Sequence, residues 1–135
     1  MTDLKSASGT GGRLDRTRLT VTDGPLIGPV LARVIGIHAS RAELPVDRLG
    51  DALLIADAVA SRAPALTEDG RVPVSVQSEP GRLEIRIGPL RPGTGRRLLD
   101  GAAIPAGRVV ERLADDVRVR SGAAGGETLV LRLAN

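Results

Sequence analysis

Residues 72–87 read VPVSVQSEPGRLEIRI. Val72, Val74 and Val76 alternate with other residues, Ser78 to Gly81 turn the chain, and Leu83, Ile85 and Ile87 alternate again. Successive side chains of an extended segment point to opposite faces, so each run presents one aliphatic row, and the pair reads as a β-hairpin. The rest of the chain is organised around it.

Upstream, the segment from Leu14 to Asp23 also alternates, with Leu19 and Val21 on one face and Thr20 and Thr22 on the other, which predicts a strand. Gly24 and Pro25 break it. Ile27, Val30, Leu31, Val34, Ile35 and His38 then recur at intervals of three and four, the period of a helix with one apolar face. Pro29 is tolerated in its first turn, where an amide has no partner in any case. Residues 42–46 end this helix, and Pro45 opens a second over about Asp47 to Ala63, with Leu49, Leu53, Ala56, Ala60 and Ala63 as its stripe. Leu54, Ile55 and Val59 widen that stripe, so the second helix is expected to pack on more than one side. Residues 1–12, MTDLKSASGTGG, have no periodicity and predict a disordered tail before one domain over 13–135.

Downstream, residues 88–104 carry four glycines and two prolines and predict a long loop. A third helix is expected from Pro105 to Asp115, then a strand at Val117 and Val119, a turn over Ser121 to Gly126, and a last strand from Thr128 to Leu133. The order β-α-α-β-β-loop-α-β-β predicts an α+β two-layer sandwich, a mixed and mostly antiparallel sheet with helices on one face.

Composition narrows the function. The 135 residues include no Phe, Tyr or Trp, which removes the stacking platforms that single-stranded nucleic acid uses. There is no cysteine, and the single histidine, His38, makes neither a zinc site nor a serine–histidine triad by itself. No apolar run reaches bilayer length and no charged-then-apolar leader opens the chain, so a cytoplasmic protein without membrane or nucleic-acid contact is expected. The net charge is +3, Lys5 being the one basic residue that is not arginine. The arginines are spread among 16 acids and predict an ordinary solvated surface.

The stretch LARVIGIHASRAELPVDRLGDALLIADAVASRA, residues 31–63, resembles the first two helices of bacterial anti-sigma regulatory factors. These form the serine-kinase branch of the ATPase superfamily that includes gyrase, histidine kinases and the ninety-kilodalton heat-shock chaperone. The ending RVVERLADDVRVRSGAAGGETLVLRLA, residues 108–134, resembles that family's last helix and closing hairpin, and VPVSVQSEPGRLEIRI falls where the family has a hairpin. The similarity spans residues 14–134 in order and implies the histidine kinase-like ATPase fold.

That family binds Mg·ATP through three motifs, and the resemblance places them here in eroded form. The family's Glu and Asn, one helical turn apart, correspond to Asp57 and Ser61; Asp57 retains a carboxylate for a catalytic base, and Ser61 offers Mg²⁺ a hydroxyl in place of an amide oxygen. The Asp-x-Gly-x-Gly turn corresponds to IRIGPLRPGTG, which keeps Gly88 and Gly93 but has no acid between Glu84 and Asp100 to read adenine. The glycine-rich lid corresponds to DGAAIPAGRVVERLADD, which keeps Gly101 and Gly107 and has Ile104 and Pro105 where the family has glycines. Thr128 matches the threonine that supports the adenine pocket.

Each residue also has a plainer reading: Asp57 as a helix-edge acid paired to an arginine, His38 as a satisfied core histidine, Thr128 as a β-branched strand residue, Arg96 and Arg97 as a solvated pair. The resemblance implies a regulatory protein-binding module with weak or no ATP binding, whose partner is a sigma factor or an anti-sigma antagonist, with a homodimer possible and no cofactor unless the Mg·ATP site still works. The alternative is an active serine kinase of an anti-sigma antagonist, with Asp57 as base, Ser61 as magnesium ligand and Thr128 against adenine. A structural or sensor domain without ligand stands as a third reading.

Overall fold

The computed structural model describes residues 7–8, 15–22, 24, 27–62, 67–94, 96, 113–122 and 125–134. Within them the order is β1 (Ala7–Ser8), β2 (Asp15–Thr22), α1 (Ile27–Arg41), α2 (Val46–Arg62), β3 (Arg71–Glu79), β4 (Arg82–Leu90), β5 (Asp116–Ser121) and β6 (Glu127–Ala134). The strands form one sheet in the order β1-β2-β3-β4-β6-β5.

Alternation decides which way each strand faces. Leu19, Val74, Ile87, Leu129 and Val119 stand side by side in one row across the sheet, and Val76, Ile85, Leu131 and Val117 form the next. Leu31, Val34, Ile35 and Ala39 of α1 and Ala52, Ile55, Ala56 and Val59 of α2 close over these rows. Helices on one side and sheet on the other make the α+β two-layer arrangement that the sequence predicts.

Every pairing between the described strands is antiparallel, where a mixed sheet was expected. The reason is the helical pair: α1 runs back along the sheet and α2 returns, so β3 starts at the end where β2 stopped and runs against it. The predicted loop also begins later. β4 continues through Gly88 and Pro89 to Leu90, which pairs with Glu127 beyond a register shift. Two residues of the expected tail, Ala7 and Ser8, pair with Arg16 and Asp15 as β1. The predicted third helix lies outside the described residues except at its end, where Leu113 is helical. No helix among the described residues is long and apolar enough to cross a membrane.

α1 ends in a hydrogen-bonded reversal. The Glu43 amide donates to Ser40 O at 3.0 Å and the Leu44 amide to Ala39 O at 3.1 Å, with Glu43 in the left-handed region at φ 59°. Glycine adopts that conformation without a Cβ clash, so Glu43→Gly is expected to raise stability by up to about 1 kcal/mol in urea titrations followed by far-UV circular dichroism.

His38, on α1, is the one titratable ring in the core, at 1 % exposure. Nε2 lies 2.8 Å from Thr17 Oγ1 and Nδ1 lies 2.7 Å from Ser78 Oγ, so α1 is hydrogen-bonded to both β2 and β3. Burial lowers its pKa from 6.5; the charge of Arg41 lowers it further, and Asp15 opposes them. The unfolded chain therefore binds more protons than the folded one below about pH 6.5, and stability falls with pH there by at most about 1.4 kcal/mol per unit. Urea midpoints measured between about pH 7.5 and pH 5 should follow this slope, and His38→Gln should flatten it.

Candidate functional site

α2 turns Ala52, Ile55, Ala56 and Val59 inward, and the same period leaves Leu53, Leu54 and Asp57 outside. A Cβ on Gly36 would lie 4.0 Å from Leu53 Cδ2, so Leu53 lies over the bare backbone of α1 one residue before Ile37 in the chain. Ile37, Leu53 and Leu54 remain 45 %, 38 % and 55 % exposed. Asp57 sits three and four residues beyond the two leucines, on the same side of the helix. It has no ion-pair partner among the described residues, so the arginine-paired reading of this acid finds no support in the geometry. The side chain of Ser61, one turn further along, and the whole of Gly107 lie outside the described residues.

The other sequence candidates meet at the end of β4. Gly88 has φ 139°, and a Cβ there would lie 2.8 Å from the Glu127 carbonyl oxygen and 3.0 Å from Thr128 Oγ1. Gly93, at φ 87°, donates its amide to Glu127 Oε2 at 3.0 Å, and the Arg96 amide points at Glu127 Oε1 at 3.3 Å. No acid lies between Glu84 and Asp100, yet a carboxylate reaches this segment from β6. Glu127 was not singled out from the sequence, where it is one more acid beside a glycine pair; only the pairing of Leu90 with Glu127 brings it to the loop.

Thr128 alternates with Leu129, and Leu129 faces the helices, so the Thr128 side chain points to the opposite side of the sheet. Gly88 and Thr128 are thus in contact, Gly93 is tied to the neighbouring Glu127, and Asp57 is separated from Thr128 by the sheet. Among the described residues these groups do not form one cradle for Mg·ATP, and no cluster of three or more His, Cys, Asp or Glu is placed to hold a metal ion.

The sheet face away from the helices holds a constellation the sequence reading did not foresee. β2 contributes Arg16 and Arg18, β3 Arg71, β4 Arg82 and Arg86, β5 Arg118 and Arg120, and β6 Arg132. The acids described there are Glu79, Glu84 and Asp116. Arginines expected to be scattered are gathered, because residues far apart in sequence share one face once the strands pair. The available signal was period two: Arg16 with Arg18, and Arg118 with Arg120, alternate with residues of the inner face.

Glu84, 5 % exposed, is the centre of this network. Its Oε2 accepts from Gln77 Nε2 at 2.6 Å and Arg86 Nε at 2.7 Å, and its Oε1 from Arg132 Nε at 2.8 Å. Arg16 Nε and Nη2 donate to Gln77 Oε1 at 3.0 and 2.7 Å. Burial, the largest influence, pushes the Glu84 carboxyl up, but the hydrogen bonds and charges of Arg132 and Arg86 together hold it below the usual carboxylate range. Arg18 and Arg120 are exposed and have no ion-pair partner among the described residues.

Two adjoining depressions mark the same face. One, of about 340 Å³, is lined by Arg18, Ser75, Pro73 and Pro89 among others. The second, of about 510 Å³, shares Thr20, Pro73 and Pro89 with it and extends at the end of the sheet to Arg71 and Arg91 and to the acids Glu68 and Asp69, Glu68 being paired with Arg91.

No protein-family model matches the sequence, and no curated protein matches it either.

Gly88→Ala places a methyl group against backbone in a conformation that L-residues avoid, and is expected to destabilise the fold by about 1–3 kcal/mol. Gly50 lies inside α2 with nothing within 4 Å of its would-be Cβ, so Gly50→Ala should instead stabilise by about 0.5–1 kcal/mol. Paired urea titrations measure both.

Proposed function

We propose that this chain is a non-catalytic, protein-binding regulatory module of the anti-sigma kind, built on a histidine kinase-like ATPase fold and acting in the cytoplasm on a sigma factor or an anti-sigma antagonist. The observation that carries this reading is the uncovered aliphatic surface of Ile37, Leu53 and Leu54 around Asp57. Aliphatic side chains left in water on two adjacent helices gain free energy when a partner covers them, at about 25 cal/mol per Å². An acid at the edge of such a patch rejects misaligned partners, since burying a carboxylate without a hydrogen-bonding group opposite is costly.

Two further points favour binding over catalysis. The loop after β4 lacks the acid that reads adenine in the resembling family, and its Gly93 amide is already held by Glu127. Asp57, the acid at the family's catalytic position, lies across the sheet from Thr128, the matched adenine contact. The order of strands and helices supports the fold assignment.

The test combines nucleotide and partner. Backbone amide NMR of the full chain with Mg·ATP at millimolar concentration should show no saturable shift at Asp57, Ser61, Gly93 or Thr128. Saturable shifts, with phosphate transfer to an antagonist that Asp57→Ala abolishes, would replace this reading with that of an active serine kinase. Leu54→Asp changes an exposed residue, so its thermal melt should match the parent. Its affinity for a co-purifying sigma factor or antagonist should fall at least about tenfold. Unchanged affinity would reject the patch.

A further inference from the structure

The open face of the sheet lies on the other side of the molecule from the α1–α2 patch and is independent of it. Its arginines outnumber its described acids by eight to three, and the acids are committed: Glu84 to Arg86 and Arg132, Asp116 to Arg118, Glu79 to Arg82. The charge left over lies on Arg16 and Arg18 of β2, Arg71 at the start of β3 and Arg120 of β5. Arg18, on β2, and Arg120, on β5, point to this face without a carboxylate partner among the described residues. Four strand spacings separate β2 from β5 in the sheet order, which sets the two strands about 19 Å apart. Between them, Pro73 and Pro89 floor the 340 Å³ depression, and Arg18 and Ser75 stand at its side.

We propose that this face is a docking surface for an acidic, aliphatic peptide segment of a partner protein, laid across the strands with carboxylates on Arg18 and Arg120 and an apolar side chain over Pro73 and Pro89. The charge requires an anion. The span matches about six residues of extended chain, and guanidinium groups pair with carboxylates through two parallel hydrogen bonds. Nucleic acid fits less well on two counts. No aromatic ring is present to stack a base, and a sugar–phosphate backbone offers nothing apolar to set on the two prolines. Strand addition is not required, because β3 and β4 are already paired on both sides; recognition here runs through side chains.

The probe is a fluorescein-labelled peptide of about nine residues with glutamates at both ends and alternating leucine and alanine between them, followed by fluorescence anisotropy with the full chain at low salt. Binding is expected, weakened about tenfold by Arg18→Glu and by Arg120→Glu separately, and less than twofold by Arg33→Glu, which makes the same charge change on the exposed side of α1. Amide shifts on adding the peptide should cluster on β2, β3, β4, β6 and β5 and leave α1 and α2 unmoved. This mapping uses the parent chain and stands even if a variant folds poorly. No binding, equal loss with Arg33→Glu, or shifts confined to the helices would overturn the proposal. So would tighter binding of a DNA duplex with the same variant pattern, which would make the surface a nucleic-acid site. Leu54→Asp should leave peptide binding unchanged, so failure of this proposal and failure of the α1–α2 reading are separate results.

Discussion

A core without aromatic side chains is the constraint on which the rest of this structure depends. A buried Phe, Tyr or Trp covers 150–250 Å² and bridges two layers by itself. Here the gap between helices and sheet is filled by Leu, Ile, Val and Ala alone, so several strands must each contribute an unbroken inner row and both helices must come close. Small residues permit that approach: a Cβ on Gly28 would lie 3.9 Å from the Ala60 Cβ, and Gly36 lies under Leu53. His38 is the one planar ring in the core, and both of its nitrogens are bonded to hydroxyls on neighbouring strands.

The same alternation that builds the core builds the opposite surface. Each inward Val or Leu is flanked by residues facing out, and on the five strands from β2 to β6 two or more of those are charged or hydrogen-bonding. Guanidinium groups on adjacent strands would repel one another across spacings of about 5 Å. Glu84 lies between two of them and accepts from both, which turns repulsion into a network and holds its own carboxyl ionised. At the edge Asp116 accepts a hydrogen bond from Arg118 and forms a longer ion pair, at 3.8 Å, with Arg132. Local neutralisation stops at the flanks, and there the surface keeps its unbalanced charge.

Much of the fold was legible because it rests on periodicity. The hairpin around Pro80 and Gly81, the period-two run of β2 and the period-three-and-four run of α1 all have their expected faces. Boundaries were less legible where the backbone does something a pattern does not encode: Gly88 and Pro89 read as loop residues, yet β4 runs through them because Leu90 regains a partner in Glu127. Of the candidate site, Asp57 was correctly read as an acid flanked by Leu53 and Leu54. The role of Glu127 was not legible, because its contact with Gly93 spans 34 residues and depends on register.

The sequence by itself determined most of the elements, the inward faces of α1 and of the strands from β2 to β6, and the absence of aromatic side chains, because those follow from residue type and local period. The stripe expected on α2 included Leu53, which the packing leaves exposed while Ala52, Ile55, Ala56 and Val59 turn inward. Tertiary structure decided direction, neighbourhood and net surface charge. Two returning helices made β3 antiparallel to β2, strand register carried Glu127 to the loop after β4, and pairing collected arginines from residues 16 to 132 onto one plane. These are sums over positions far apart in the chain, and hydrogen bonding between strands is the physical step that adds them.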